Sequence, residues 1–206
     1  MKKPVVIVQG PSHHVKDQKE AWKNVPVIFS TWKGQEENYE STDEVLYNDV
    51  PEQSGPGNYN LQKTTTLNGL IKAKELGFEH AVKIRHDLFP IDGEKFISIL
   101  SKDRFNFLSW YEHKIHHNFK GYLVDYVMSG PVDMMISLWD NNDWNYGVAE
   151  LILTHRYFKL FDKDNIDYFL NKLDSSNDLV WRKYEIKLSS YSQYLGYNVN
   201  SEHLIQ

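Results

Sequence analysis

Short apolar runs alternate along the chain with longer polar or amphipathic stretches. Val5-Val6-Ile7-Val8 is a continuous apolar run, the pattern of a strand covered on both faces. Gln9-Gly10-Pro11 ends it, and residues 12–23 are polar and predict a partly helical segment. Pro26-Val27-Ile28-Phe29 predicts a second buried strand, followed by Ser30-Thr31-Trp32-Lys33-Gly34. An acidic stretch at 35–43 reads as a loop. Glu44-Val45-Leu46-Tyr47 predicts a third strand that ends at Asn48-Asp49-Val50-Pro51. Gln53-Ser54-Gly55-Pro56-Gly57 then predicts a flexible turn.

The segment 58–90 organises the rest of the chain. Leu67, Leu70 and Ile71 recur at i, i+3 and i+4, which predicts an apolar helical face. Gly77 stops that helix, since glycine readily takes the left-handed conformation a helix end favours. Ala81, Val82 and Ile84 predict a strand, and Pro90 bars its continuation. Strand alternation puts Lys83, Arg85 and Asp87 on one face and Ile84 on the other. Asp92 is placed to cap a helix carrying Phe96, Ile99 and Leu100. Phe105–Trp110 and Tyr126–Gly130 predict further strands. Pro131 suits the first turn of a helix reaching Trp139, and helices are expected at 148–161 and 165–173. Tyr184, Ile186 and Leu188 alternate as in a strand; Tyr191, Tyr194 and Leu195 suggest a helical turn.

Strands alternating with helices predict an α/β fold with a mostly parallel central sheet flanked by helices. In such a sheet the carboxyl ends of the strands share one rim, where ligands meet open α/β sheets. Gln9-Gly10-Pro11, Ser30-Thr31-Trp32, Asn48-Asp49 and Arg85-His86-Asp87 all follow strands, so a ligand cleft is expected among them.

The 206 residues fit one domain, and 41% hydrophobic residues suffice for a sizeable core. A formal net charge of -5 argues against broad affinity for nucleic acid or anionic membrane. The chain has no cysteine, which removes disulfides and thiol chemistry. Val5–Val8 is too short for a signal-peptide core, and no apolar run approaches a membrane span. A cytoplasmic protein is expected, with peripheral attachment to a membrane left open.

Four stretches in order, QGP, FSTWKGQ, NLQKTTTLNGLIKA and VKIRHDLFP, resemble the WavE lipopolysaccharide-synthesis family. VDYVMSGPVDMM is similar to that family more loosely, and residues from Asp162 on add nothing to the match. The resemblance implies a GT-A-like nucleotide-diphospho-sugar transferase fold in a single domain. Residues 1–90 would form the nucleotide-sugar half, and 91–206 the acceptor half with C-terminal helices. It implies transfer of a sugar from a nucleotide-diphosphate donor to a glycan or lipid-linked acceptor, in surface polysaccharide synthesis. The Lys-x-Arg-x-Asp strand end would stand where such enzymes carry a DxD metal motif. Arg85 replaces the first aspartate of that motif, so Asp87 alone remains to hold Mn²⁺ or Mg²⁺. A lone carboxylate is a poor site for a divalent ion. Lys83, Arg85 or His86 could instead neutralise the diphosphate directly, because the departing group gains negative charge.

Each candidate has a bland alternative. Gln9, Gly10 and Pro11 could approach the nucleotide backbone-first or make only a tight turn. Ser30 and Thr31 could bond a base or ribose or simply end a strand; Trp32 could stack or fill the core. Asn60 and Lys63 open the main helix, a favourable place for anions, or merely cap and solvate it. Asp125 and Glu150 are the candidate bases for an inverting transfer, in which a carboxylate takes the acceptor hydroxyl proton. Either could be only a loop or helix-start charge. His113, His116 and His117 lack zinc spacing, and His155 reads as a helix residue near the core. Two other functions stay open: a sugar nucleotidyltransferase, which the single glycine of Gln9-Gly10-Pro11-Ser12 fits poorly, and a non-catalytic glycan- or nucleotide-binding protein.

Overall fold

The first apolar run lies at the middle of the sheet. In the computed structural model, β1 (Val5–Gln9) is buried along its whole length, between β2 (Val27–Trp32) and β4 (His80–Arg85). The described residues are 4–90, 92–98, 100, 105–109, 123–142, 149–161, 185–187 and 195–197. Beyond β2 lies β3 (Glu44–Asn48); beyond β4 follow β7 (Leu123–Pro131), β6 (Asn106–Ser109) and β8 (Glu185–Lys187). The four strands β3, β2, β1 and β4 run parallel. β7 then pairs antiparallel with β4 and with β6, and β8 runs parallel to β6. A separate pair joins β5 (Leu88–Pro90) to β9 (Leu195–Tyr197).

Alternation along the central strands feeds two cores. Val5, Ile7, Ile28, Ala81 and Met128 face α2 (Tyr59–Glu75), α4 (Val132–Trp139) and α5 (Ala149–Phe161). Val6, Val8, Phe29, Val82 and Ile84 face α1 (Val15–Ala21) and α3 (Gly93–Ser98), with Trp22 and Phe96 edge to face at 6.0 Å. Helices on both faces of a largely parallel sheet make this an α/β fold. Asp92 caps α3, accepting from the Lys95 N–H at 3.0 Å.

Three expectations need correcting. The inner face of α2 is not Leu67-Leu70-Ile71: Ile71 is 41% exposed, and Tyr59, Thr65, Thr66, Gly69, Leu70 and Ala73 are buried. A side chain at Gly69 would place its Cβ 2.5 Å from Ile7 Cγ2, so the helix backbone rides close on β1 at this point. Pro131 does not sit inside the first turn of α4. It closes β7, paired with His80, and its ψ of 132° is extended. Leu195 belongs to β9 and not to a helical turn. The helix expected at 165–173 and the histidine-rich stretch at 113–121 lie outside the described residues.

Candidate active site

The ends of β1, β2, β3 and β4 meet on one rim. Gln9 pairs with Ser30 on one side and Arg85 on the other, and Trp32 pairs with Asn48. β7 runs the other way, so its beginning arrives where β4 ends: Ile84 pairs with Val127, which brings Asp125 and Tyr126 beside Arg85. The expected convergence of strand ends is thus present, with an antiparallel strand adding two residues.

On the β1–β2–β3 side the polar side chains are engaged with one another. Ser30 and Thr31 are 0% exposed. Asn48 donates to Ser30 Oγ at 3.0 Å and to the Thr31 carbonyl at 2.8 Å, and accepts from Asn68 at 2.7 Å. Thr31 donates to Gln35 Oε1 at 2.7 Å, which also accepts from the Ser12 N–H at 2.9 Å. Buried Gln9 accepts from Thr65 at 2.9 Å. Ser30 and Thr31, read as base or ribose contacts, therefore spend their hydroxyls inside the protein in this conformation. Asn48 and Thr65 were not singled out from the sequence, because only the folded register shows what they bond. Trp32 is half-buried at the end of β2.

The turn after β1 lies against the one after β4. Gly10 has φ +113°, a conformation glycine alone adopts easily, and its N–H donates to the Ser30 carbonyl at 3.1 Å. The His86 N–H donates to the Gln9 carbonyl at 2.9 Å. A Cβ on Gly10 would come 2.6 Å from His86 Nδ1. His13 and His14 rings lie 6.0 and 6.1 Å from that of His86. Burial lowers His86 to about 4, so its imidazole is neutral at pH 7. Pro11 is half-buried beside this turn.

Arg85 and Asp87 close on each other. Arg85 Nε donates to Asp87 Oδ1 at 2.9 Å, and Nη2 to Oδ2. Strand alternation does not carry to Asp87, because β4 ends at Arg85 and residues 86–87 form a turn. The guanidinium lies over the Tyr126 ring, 4.5 Å from its centroid. Burial alone would raise the Asp87 carboxyl; the Arg85 hydrogen bonds and charge outweigh it and hold the group below its ordinary value. Both Asp87 oxygens are thus taken by a cation. No three His, Asp or Glu side chains are gathered for a metal among the described residues. This donor set does not fit a divalent ion.

On the β4–β7 side, burial and charge collect without closure. Lys83 is 0% exposed. Its ammonium donates to the Asp125 main-chain carbonyl and lies 5.1 Å from the centroid of Trp139, which stacks on Tyr59 at 6.1 Å. Lys83, read as a diphosphate contact, is walled in by protein in this conformation. Asp125 is also 0% exposed, and neither carboxylate oxygen has a hydrogen-bond partner among the described residues. Glu150, in the first turn of α5, is raised to about 7, first by burial and then by the charge of Asp125; Lys83 and Arg85 oppose the rise. Thr154 of α5 accepts from the Leu123 N–H at 2.8 Å and donates to the Glu150 carbonyl at 2.6 Å, so the first turn of α5 packs on the start of β7, and the charge of Asp125 reaches Glu150, a candidate base far from it in sequence. Burial pulls Lys83 down to about 8, against the attraction of Asp125. Tyr126 was not singled out from the sequence as a member of this group; its place directly after Asp125 was the available signal.

The start of α2 lies to one side. Asn60 folds back, its side-chain amide donating to the Gln53 carbonyl at 3.0 Å, and Lys63 reaches Asn142. Burial lowers the Lys63 ammonium. Arg156 of α5 donates to the Ser137 and Asp140 carbonyls at 3.3 Å, tying α5 to the end of α4.

No family model matches the chain, and none of the curated proteins does. Among solved structures, the chain is similar to a protein assigned to the nucleotide-diphospho-sugar transferases, from Desulfovibrio desulfuricans G20. The TM-score is 0.51 at 9% identity, over 77% of each chain. It is also similar to a mannose-1-phosphate geranyltransferase from Thermus thermophilus, with a TM-score of 0.47 and 11% identity, over 92% of this chain and 70% of that one. The first of these likenesses shows the fold: the chain has a nucleotide-diphospho-sugar-transferase-like fold. Among the described residues no helix is long and apolar enough to cross a membrane.

Proposed function

We propose that this protein transfers a sugar from a nucleotide-diphosphate donor to a hydroxyl of a glycan or lipid-linked acceptor, in surface polysaccharide synthesis, as the WavE resemblance implies. One observation carries the reading: a guanidinium, Arg85, a buried carboxylate, Asp125, and the half-buried Glu150 stand together on the strand-end rim of this fold. The two charges match the two needs of the reaction. The acceptor hydroxyl gives its proton to Glu150, the half-buried member of the pair, with Asp125 enclosed behind it, as its oxygen bonds to the anomeric carbon. The bond from that carbon to the diphosphate oxygen breaks, and its electron pair leaves with the nucleoside diphosphate. Attack opposite the leaving group inverts the anomeric centre. Arg85 has donors left after binding Asp87, since a guanidinium carries five N–H groups. It supplies positive charge to the leaving group where a divalent ion would otherwise serve. Gly10, Pro11, Trp32 and His86 line the rest of the donor side.

Thermal-shift screening against nucleotide sugars and nucleoside diphosphates, with and without Mn²⁺, tests this. Stabilisation by one nucleoside diphosphate, with slow release of it from the matching donor and no need for Mn²⁺, is the expected result. Silence toward every nucleotide would sink the reading in favour of a non-catalytic protein. Pyrophosphate release from a nucleoside triphosphate and a sugar 1-phosphate would mark a nucleotidyltransferase. Activity lost with chelator and restored by Mn²⁺ would return Asp87 to the role of metal ligand.

A further inference from the structure

A lysine at a strand-end rim invites assignment to phosphate. The surroundings of Lys83 point elsewhere. Its ammonium has no exposure, and its hydrogen bond goes to the main chain of Asp125. Trp139 covers it, held in turn by the Tyr59 ring and by an indole N–H donated to Met128 Sδ at 3.1 Å. A phosphate could reach this nitrogen only by displacing packed aromatic rings. Yet a buried ammonium and a buried carboxylate are each costly alone, and each is kept by the other's charge. Asp125 has no hydrogen-bond donor on either oxygen among the described residues. Asp125 is therefore balanced by charge at a distance and not by direct contacts, whereas Glu150 also accepts a backbone N–H.

We propose that Lys83 is a positioning residue: it fixes the Asp125 backbone and is the counter-charge that keeps Glu150, beside Asp125, able to accept a proton. Among the described residues, the charged and titratable groups whose fields reach Glu150 are Lys83 and Arg85 from β4 and Asp125 and Tyr126 from β7. Arg85 is already shared with Asp87, so Lys83 is the cation given over to the pair. The inference rests on the transferase reading for what the pair does, and not for how the pair ionises.

Lys83→Met in the full chain is the test, with carbon-13 NMR titration of the Glu150 carboxyl as the first readout. Loss of the cation is expected to raise the Glu150 midpoint by about one to three pH units. In transfer assays kcat should fall about tenfold or more, with its acidic limb moved to higher pH, while the donor KM stays within about twofold. Lys83→Arg, which keeps the charge, should restore most of the midpoint. An unmoved midpoint with a raised donor KM would overturn the proposal in favour of a phosphate contact. An unmoved midpoint with unchanged kinetics would leave only packing. If Lys83→Met does not fold, the wild type decides: nitrogen-15 titration must find Lys83 charged across the range where Glu150 takes up its proton, and a neutral amine there overturns the idea. The titration needs no donor. A shifted midpoint in a protein that transfers nothing sinks the transferase reading alone; transfer with an unshifted midpoint sinks this proposal alone.

Discussion

On the β2–β3 side of the rim, Ser30, Thr31 and Asn48 bond one another and the main chain, and Gln35, Asn68 and Thr65 complete the set. On the β4–β7 side, Asp125 is as deeply buried as Ser30, but its oxygens have no donors among the described residues, and Glu150 beside it binds its proton unusually tightly. Equal burial with unequal satisfaction separates architecture from chemistry. A closed network fixes the shape of a sheet edge. A buried carboxylate held by remote charge is kept at a cost, and such groups gather at functional sites. Exposure alone would have treated the two sides alike.

The contrast can be broken in four places. Asp125→Asn and Glu150→Gln should have the largest effect, each lowering kcat by about 10² to 10⁴ in assays with the donor found by screening. Wild-type rates in both variants would remove the pair from the mechanism. Arg85→Met should come next, costing about 10² to 10³ in kcat, with Mn²⁺ failing to rescue it. Asn48→Ala should act on the other axis. It strips Ser30 and the Thr31 carbonyl of a donor, so urea unfolding should show a loss of about 1 to 3 kcal/mol while activity per folded molecule stays within a few-fold. A large activity loss there without destabilisation would erase the distinction between the two sides.

The smallest effect is in the pH dependence of stability. Glu150 is raised above its ordinary 4.5 to about 7, chiefly by burial, so the folded protein holds a proton that the unfolded chain has released. That contribution is fully present below pH 4.5 and is lost as pH rises through 7. Glu150→Gln should flatten the decline of Tm across this window. An identical slope in the variant would show that Glu150 does not carry it.

The sheet was legible because its central strands are short, largely apolar runs: Val5–Val8, Val27–Phe29 and Ala81–Ile84, the last interrupted by Lys83, each sit in a strand. The packing face of α2 was not, because apolar spacing points to Leu67 and Ile71, whereas Thr65, Thr66 and Gly69 are buried instead. The rim was legible as a place, since polar residues follow each strand. Its two characters were not. That Thr31 meets Gln35 and Asn48 meets Asn68 depends on register and helix placement. That the charge of Asp125 reaches Glu150 depends on β7 running against its neighbour and on α5 packing at its start, which local sequence does not encode. Asp87 was found as a rim residue, yet its union with Arg85 requires the strand to stop two residues earlier than alternation suggests.

The enclosure of Lys83 has a consequence for reagents as well as for substrates. Burial draws its amine down to about 8, so at neutral pH it has a larger unprotonated, nucleophilic fraction than an ordinary lysine. It is also sealed from solvent. Acylating reagents will mark exposed lysines such as Lys16 and Lys74 at once, but Lys83 only when the domain opens. Mass spectrometry of this one amine therefore times the opening of the sheet around it, under native conditions and without an engineered probe.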